Sequence, residues 1–303
     1  MMRSLYSAIS GLKNHQIKMD VIGNNIANVN TLGFKRSRAN FATMLSQNLK
    51  GASAPSIAGG VTTQGGTNAV QVGLGAMLGS IDQIMTQGST QSTGKDTDLM
   101  LQGPGFFVLK NTGQTVFTRA GGFGFDSDGN LIDPSTGALV QGYIFPDDNT
   151  APPAASWDQA GALATIKFKL GDPPNASGNP ALGLTGFSID QNGVITGVYS
   201  NGIQSETHKI AQIAVAKFAN DAGLENVGGN FYKTSNNSGA PDINSPGASG
   251  RATVIPGAVE MSNVDLSQEF TDMIVTQRGF QANSRVITVS DTLLEELINL
   301  KRQ

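Results

Sequence analysis

The chain has 303 residues, enough for two or three domains with a sizeable core. Twenty Lys and Arg against 23 Asp and Glu give a net charge of −3 with no basic block, which excludes a surface that tracks nucleic-acid phosphates. There is no cysteine, which excludes disulfides, thiolate metal sites and cysteine nucleophiles, and no apolar run approaches the ~18 residues of a membrane span. Only 14% of residues are charged and 38 are glycine, a balance that suits strands, turns and close subunit packing.

Residues 2 to about 30 are predicted as a helix. Leu5, Leu12, Met19 and Ile26 recur every seven residues, with Met2 and Ile9 on a companion line that Gln16 and Gly23 interrupt. Asn30-Thr31-Leu32-Gly33 supplies the stop. The opening residues mix apolar with Ser, Lys, Asn and His. They lack the continuous apolar stretch of a secretory signal, so the chain is expected to stay in the cytosol or to leave by a route that needs none. Residues 34–78 read as an extended linking region. They begin with the basic Lys35, Arg36 and Arg38, and between Ser46 and Gly75 they carry one charge, Lys50.

From about Gly79 the signals are those of strands. Phe106-Phe107-Val108-Leu109 runs into Asn111-Thr112-Gly113, and Asp128-Gly129 and Pro134-Ser135-Thr136-Gly137 mark later turns. Phe187-Ser188-Ile189 and Val194-Ile195-Thr196 flank Asn192-Gly193 as a hairpin, and Ile210–Phe218 and Phe231-Tyr232 are further strands. Residues 79–145 and 183–261 are thus expected to form one discontinuous, mainly β domain. Between its halves, residues 146–182 read as a small inserted subdomain or loop, with six of the 12 prolines, the sole Trp157 and one alternating run, Ile166-Lys167-Phe168-Lys169-Leu170.

The last forty residues are predicted as one long helix, roughly 57 Å if continuous. Leu266, Met273, Phe280, Ile287 and Leu294 mark every seventh position, and Phe270, Gln277, Ser284, Asp291 and Ile298 form a companion line four residues on. Ser262 and Asn263 offer N-cap chemistry. Heptad stripes at opposite ends imply that residues 1–33 and 262–303 pair as an antiparallel, coiled-coil-like inner domain. Mainly β outer domains are then inserted between the helices, in a multidomain α+β fold. Apolar residues off the stripes (Ile22, Val29, Val286, Leu293, Leu297, Leu300) exceed what a two-helix hairpin covers, and further copies of the chain are the expected cover.

Catalytic and metal patterns are weak. Asp126, Asp128 and Asn130 around Gly129 lack the remaining ligands of a calcium loop and read as a hairpin turn. His15 and His208 are far apart, and the glycines at 73, 75, 79, 121, 122 and 124 miss the phosphate-binding spacings. Asp96, Asp98 and Asp190 give no reason to choose a carboxylate pair. No cofactor and no enzymatic activity are expected. A β-rich extracellular binding protein or enzyme is the reading of a different class.

SLYSAISGLKNHQIKMDVIGNNIANVNTLGFK (Ser4–Lys35) closely resembles the shared opening of the bacterial flagellar rod and hook proteins. GPGFFVL (Gly103–Leu109), FTRAGGFGFDSDGNL (Phe117–Leu131) and the stretch from Ser262 to Arg302 resemble the family's first β segment and its C-terminal signature. Residues 187–202 and 209–232 are similar to the hook pattern, whereas the long uncharged stretch from Ser46 to Gly75 resembles an extension of the distal rod protein.

The resemblance implies a structural subunit that leaves through the flagellar type III export apparatus without a cleaved signal peptide. As an extracellular hook subunit it would polymerise under a hook cap scaffolding protein, between the distal rod protein and the hook–filament junction protein. The homo-polymer would be a curved, flexible tube that transmits torque, with the terminal helices innermost. The self-assembly residues are then Leu5, Ile9, Leu12, Met19, Ile26, Leu266, Phe270, Met273, Phe280, Ile287, Leu294 and Ile298. Phe41 and Leu45 match the short export pattern of a phenylalanine followed four residues later by an apolar residue, a pattern that a packing turn explains equally well.

Overall fold

The heptad stripes at the two ends fold as α-helices, α1 over Met2–Ala27 and α2 over Leu266–Leu300. They belong to a computed structural model of the chain that describes residues 2–58, 61–145, 163–168, 183–200 and 205–300. The chain divides into two units, one of Met1–Ala27, Ser37–Ile84 and Asp265–Gln303, the other of Asn28–Arg36 and Met85–Val264.

In the first unit, α2 begins at an N-cap different from the one expected. The Asp265 carboxylate accepts from the Ser267 and Gln268 amides at 2.9 and 3.4 Å, which satisfies two donors left free by the first turn. Ser262 and Asn263 lie upstream of the cap.

The stretch expected to link is an antiparallel ladder. Its strands are β1 (Ser37–Thr43), β2 (Ser46–Lys50), β3 (Ser56–Ala58), β4 (Val61–Gln64), β5 (Val70–Gly73) and β6 (Ala76–Gln83). β1 pairs with β6, β2 with β5 and β3 with β4, and a Ser53–Thr67 bridge sits between the last two pairs. Nested pairing of this kind makes one long hairpin. Its cross-strand partners include Gln47 opposite Val72 and Asn48 opposite Gln71, so backbone hydrogen bonds hold the ribbon where no apolar alternation does.

The second unit is built on Phe106–Asn111. That strand pairs with Gln114–Thr118 through the Thr112-Gly113 turn, and with Leu139–Ile144 on its other side. The ladder continues through Ser205–Ile213, Val194–Ser200 and Gly183–Ile189 at one end, and through Phe231–Lys233 and Glu225–Gly228 at the other. The expected Asn192-Gly193 hairpin joins Gly183–Ile189 to Val194–Ser200.

Phe106 to Leu109 are all fully buried, because alternation sends them to two cores. Phe107 and Leu109 join Val140, Ile195 and Ile213 on one face. Phe106 and Val108 join Phe117, Phe218 and Tyr232 on the other, with the Phe117 and Phe218 rings edge-on at 4.9 Å.

Residues 146–162 and 169–182 of the expected insertion, with Trp157, Lys169 and Leu170, lie outside the described residues. The piece between them belongs to the sheet. Ala164–Thr165 pairs with Gln141 and Gly142, and the alternating run puts Ile166 and Phe168 into the first core with Lys167 exposed.

Candidate assembly surfaces

The first unit packs α1 against α2 antiparallel. The contacts descend in order: Gly11 with Asn283, His15 with Gly279, Lys18 with Asp272 at 3.8 Å, and Asn25 with Glu269 at 3.2 Å. A Cβ on Gly11 would sit 2.6 Å from the Asn283 amide nitrogen, and one on Gly279 equally close to the His15 ring. A side chain at either glycine would therefore have to displace Asn283 or His15.

The buried face of α2 combines two heptad lines. Met273, Phe280, Ile287 and Leu294 are half-buried on the apolar line. Its companion within the chain lies three residues on, with Glu269, Thr276 and Ser290 buried and Asn283 half-buried. The line four residues on, expected to be the second seam, mostly turns away, leaving Phe270 50% and Ile298 60% exposed.

These polar residues find local partners. The Thr276 hydroxyl donates to the Asp272 carbonyl at 2.6 Å and the Ser290 hydroxyl to that of Val286 at 2.8 Å. The Asn25 amide donates to the Ser37 carbonyl at 2.8 Å and its oxygen accepts the Ser37 amide at 2.9 Å, fixing the first residue of β1.

On α1, Leu5, Leu12, Met19 and Ile26 are half-buried, and Ile9 is 52% exposed. Leu266 is also exposed. The outer face of α2 is apolar at both ends, with Phe270 and Ile274 before, and Val286, Val289, Leu293, Leu297 and Leu300 after, an exposed polar stretch that includes Arg278 and Arg285. The hairpin adds Phe41, Leu49, Val70, Met77 and Ile81, and Leu45 at 86% exposure. So broad an apolar surface on one unit is the mark of an interaction surface.

Chemical sites are a poor fit. Asp126 accepts from the Asp128 and Asn130 amides and the Asn130 side chain, and these bonds hold its carboxyl below its ordinary pKa as they hold the turn. Among the described residues, no group of three His, Cys, Asp or Glu is placed to hold a metal ion, and no helix is long and apolar enough to cross a membrane.

Three family descriptions match the chain in order. "Flagella basal body rod protein" covers residues 5–35, "Flagellar hook protein FlgE/F/G D1 domain" residues 100–197, and "Flagellar basal body rod FlgEFG protein C-terminal" residues 255–300. Similar proteins include the flagellar basal-body rod protein FlgG of Bacillus subtilis, 46% identical over 303 residues and all of both chains. In Borreliella burgdorferi the flagellar hook protein FlgE is 35% identical over 449 residues (99% of this chain, all of that one), and the rod protein FlgG is 31% identical over 304 (all of both). The chain belongs to the flagellar rod and hook protein family. It is a structural protein of the flagellum and not an enzyme.

Proposed function

We propose that this chain is a hook subunit, polymerising into a curved, flexible tube that carries torque from rod to filament. One observation carries the reading. Of the two Borreliella burgdorferi proteins, the hook protein is 35% identical over an alignment 449 positions long, gaps included, about 157 identities, and the rod protein 31% over 304, about 94. The larger alignment length means that the hook relative has extra residues, but the identities lie in what the two chains share.

The exposed apolar faces of α1, α2 and the hairpin, including Ile9, Phe270 and Ile298, would be covered by neighbouring copies. Leu5, Leu12, Met19, Ile26, Met273, Phe280, Ile287 and Leu294 would hold each helix pair. The polar second line (Glu269, Thr276, Asn283, Ser290) lowers the cost of one helix shifting along another, as a bending joint requires. Export by the type III apparatus, with Phe41 and Leu45 exposed on or beside β1, and contacts with cap, distal rod and junction proteins complete the proposal.

The distal rod is the second reading. It is favoured by the Bacillus subtilis relative named as a rod protein, whose alignment runs to 303 residues, the length of this chain. Electron microscopy of the purified, concentrated chain separates the two. Curved tubes are expected, straight stiff rods would transfer the chain to the rod, and persistent monomers would overturn both.

A further inference from the structure

Three of the four points where the chain leaves the second unit, after Arg36, before Met85 and after Val264, adjoin one buried charge cluster inside that unit. Lys35 and Glu260 are each 0% exposed at the side chain, with Nζ 2.5 Å from Oε1. The ammonium also donates to the Thr86 carbonyl at 2.7 Å, and the same carboxylate oxygen accepts the Gly88 amide at 2.8 Å. The Glu260 carbonyl accepts the Gly33 amide at 2.8 Å, in a turn where a Cβ on Gly33 would lie 2.5 Å from the Ala120 nitrogen. Asn263 binds the Arg36 amide through its oxygen and Thr86 through its nitrogen. Residues 33–36, 86–88 and 260–263 are thus tied at one point.

Arg119 connects that point to the sheet. Its Nη1 lies 3.4 Å from the second Glu260 oxygen, and its guanidinium stands 5.1 Å over the Phe106 ring. One carboxylate therefore serves two buried cations. Arg119 Nε is buried without a hydrogen-bond partner, as is Asp221 Oδ1, whose carboxyl burial pushes above its ordinary pKa despite the attraction of Arg119. Burial likewise pushes the Lys35 ammonium below its ordinary pKa, against the pull of Glu260. Two orphaned polar atoms and a Lys35 ammonium that burial disfavours make the closed cluster costly to hold, and it has no half-open state of low energy. Withdrawing one partner strands the others in a dry site.

We propose that Lys35, Glu260 and Arg119 form a latch that opens and closes as one step while the sheet stays folded, gathering or releasing the chain segments that leave this unit. The proposal concerns the single chain and holds for a hook or a rod subunit alike.

Native-state amide exchange on the full chain in increasing denaturant tests it. The Gly33, Gly88 and Met261 amides are expected to exchange at least ten-fold faster than those of Phe107–Leu109, through an opening with much weaker denaturant dependence. Glu260→Gln, which removes the carboxylate that both Lys35 and Arg119 contact, is expected to speed the first group at least a further ten-fold and leave the strand unchanged. Adding Lys35→Met to it removes one stranded cation and is expected to recover at least three-fold. A denaturant dependence of the unaltered chain equal to that of the strand would overturn the latch, whether or not the variants fold. So would a double variant that exchanges faster than Glu260→Gln alone.

Discussion

Phe106 to Leu109 are fully buried between two cores of the sheet unit, whereas Phe270, Val289, Leu297 and Leu45 of the other unit stand in solvent. Each unit spends its apolar residues differently. A side chain of this size is worth roughly 1.5–3 kcal/mol when buried, and in the sheet that gain is realised within one chain. In the helices and hairpin it is mostly unrealised. The sheet unit is therefore expected to fold on its own, and α1, α2 and the hairpin to gain further stability when something covers them.

The comparison predicts where substitutions act. Phe107→Ala, which empties a fully buried site in the first core, should cost about 3–5 kcal/mol in denaturant unfolding of the dilute chain. A loss below ~1 kcal/mol would mean that the sheet is not the self-sufficient unit. Tyr232 gives the next largest effect. Burial pushes its pKa up to about 12 from 10.0. The folded state then holds a proton that the unfolded state loses, so stability present below pH 10 falls as pH rises toward 12, by roughly 3 kcal/mol. Alkaline titration of Tyr232→Phe should show a shallower decline over that window.

Smaller effects belong to the first unit. Asn25→Ala removes both bonds to Ser37 and should cost about 1–3 kcal/mol of local order at the start of the hairpin. It is read as faster exchange of the β1 amides with the sheet unit unchanged. Ile298→Ser should alter dilute-chain stability by no more than ~0.5 kcal/mol yet reduce polymer yield at fixed concentration. Normal assembly of that variant would show that the outer face of α2 is not an interface.

The sequence showed some of this plainly and some not at all. Both helices follow from seven-residue spacing, and Asn192-Gly193 marked its hairpin because turn chemistry is local. Within one chain the second buried line of α2 lies one residue before the line that runs from Phe270 to Ile298. Phe270 and Ile298 put apolar ends on the line four residues on, whose centre of Gln277, Ser284 and Asp291 is polar, and nothing local tells that Gly11 faces Asn283 and Gly279 faces His15. Glu269, Thr276, Asn283 and Ser290 do share a seven-residue spacing, the one signal that pointed to them.

The 37–83 ladder was hidden because its information lies in which strand faces which, and residues such as Gln47, Asn48 and Gln71 carry no alternation. Ile166 and Phe168 were legible as a half-buried strand, but not as members of the main core. Lys35 and Glu260 are 225 positions apart, and no local pattern links them.

The central claim is that the apolar faces of the helix-and-hairpin unit are completed by other copies of the chain. Amide exchange of α2 from Met273 to Leu300, compared between dilute chain and assembled polymer, tests it most directly. Weak protection is expected in the dilute chain and strong protection in the polymer, with Phe106–Leu109 protected in both. Protection of α2 as strong in the dilute chain as in the polymer would contradict it.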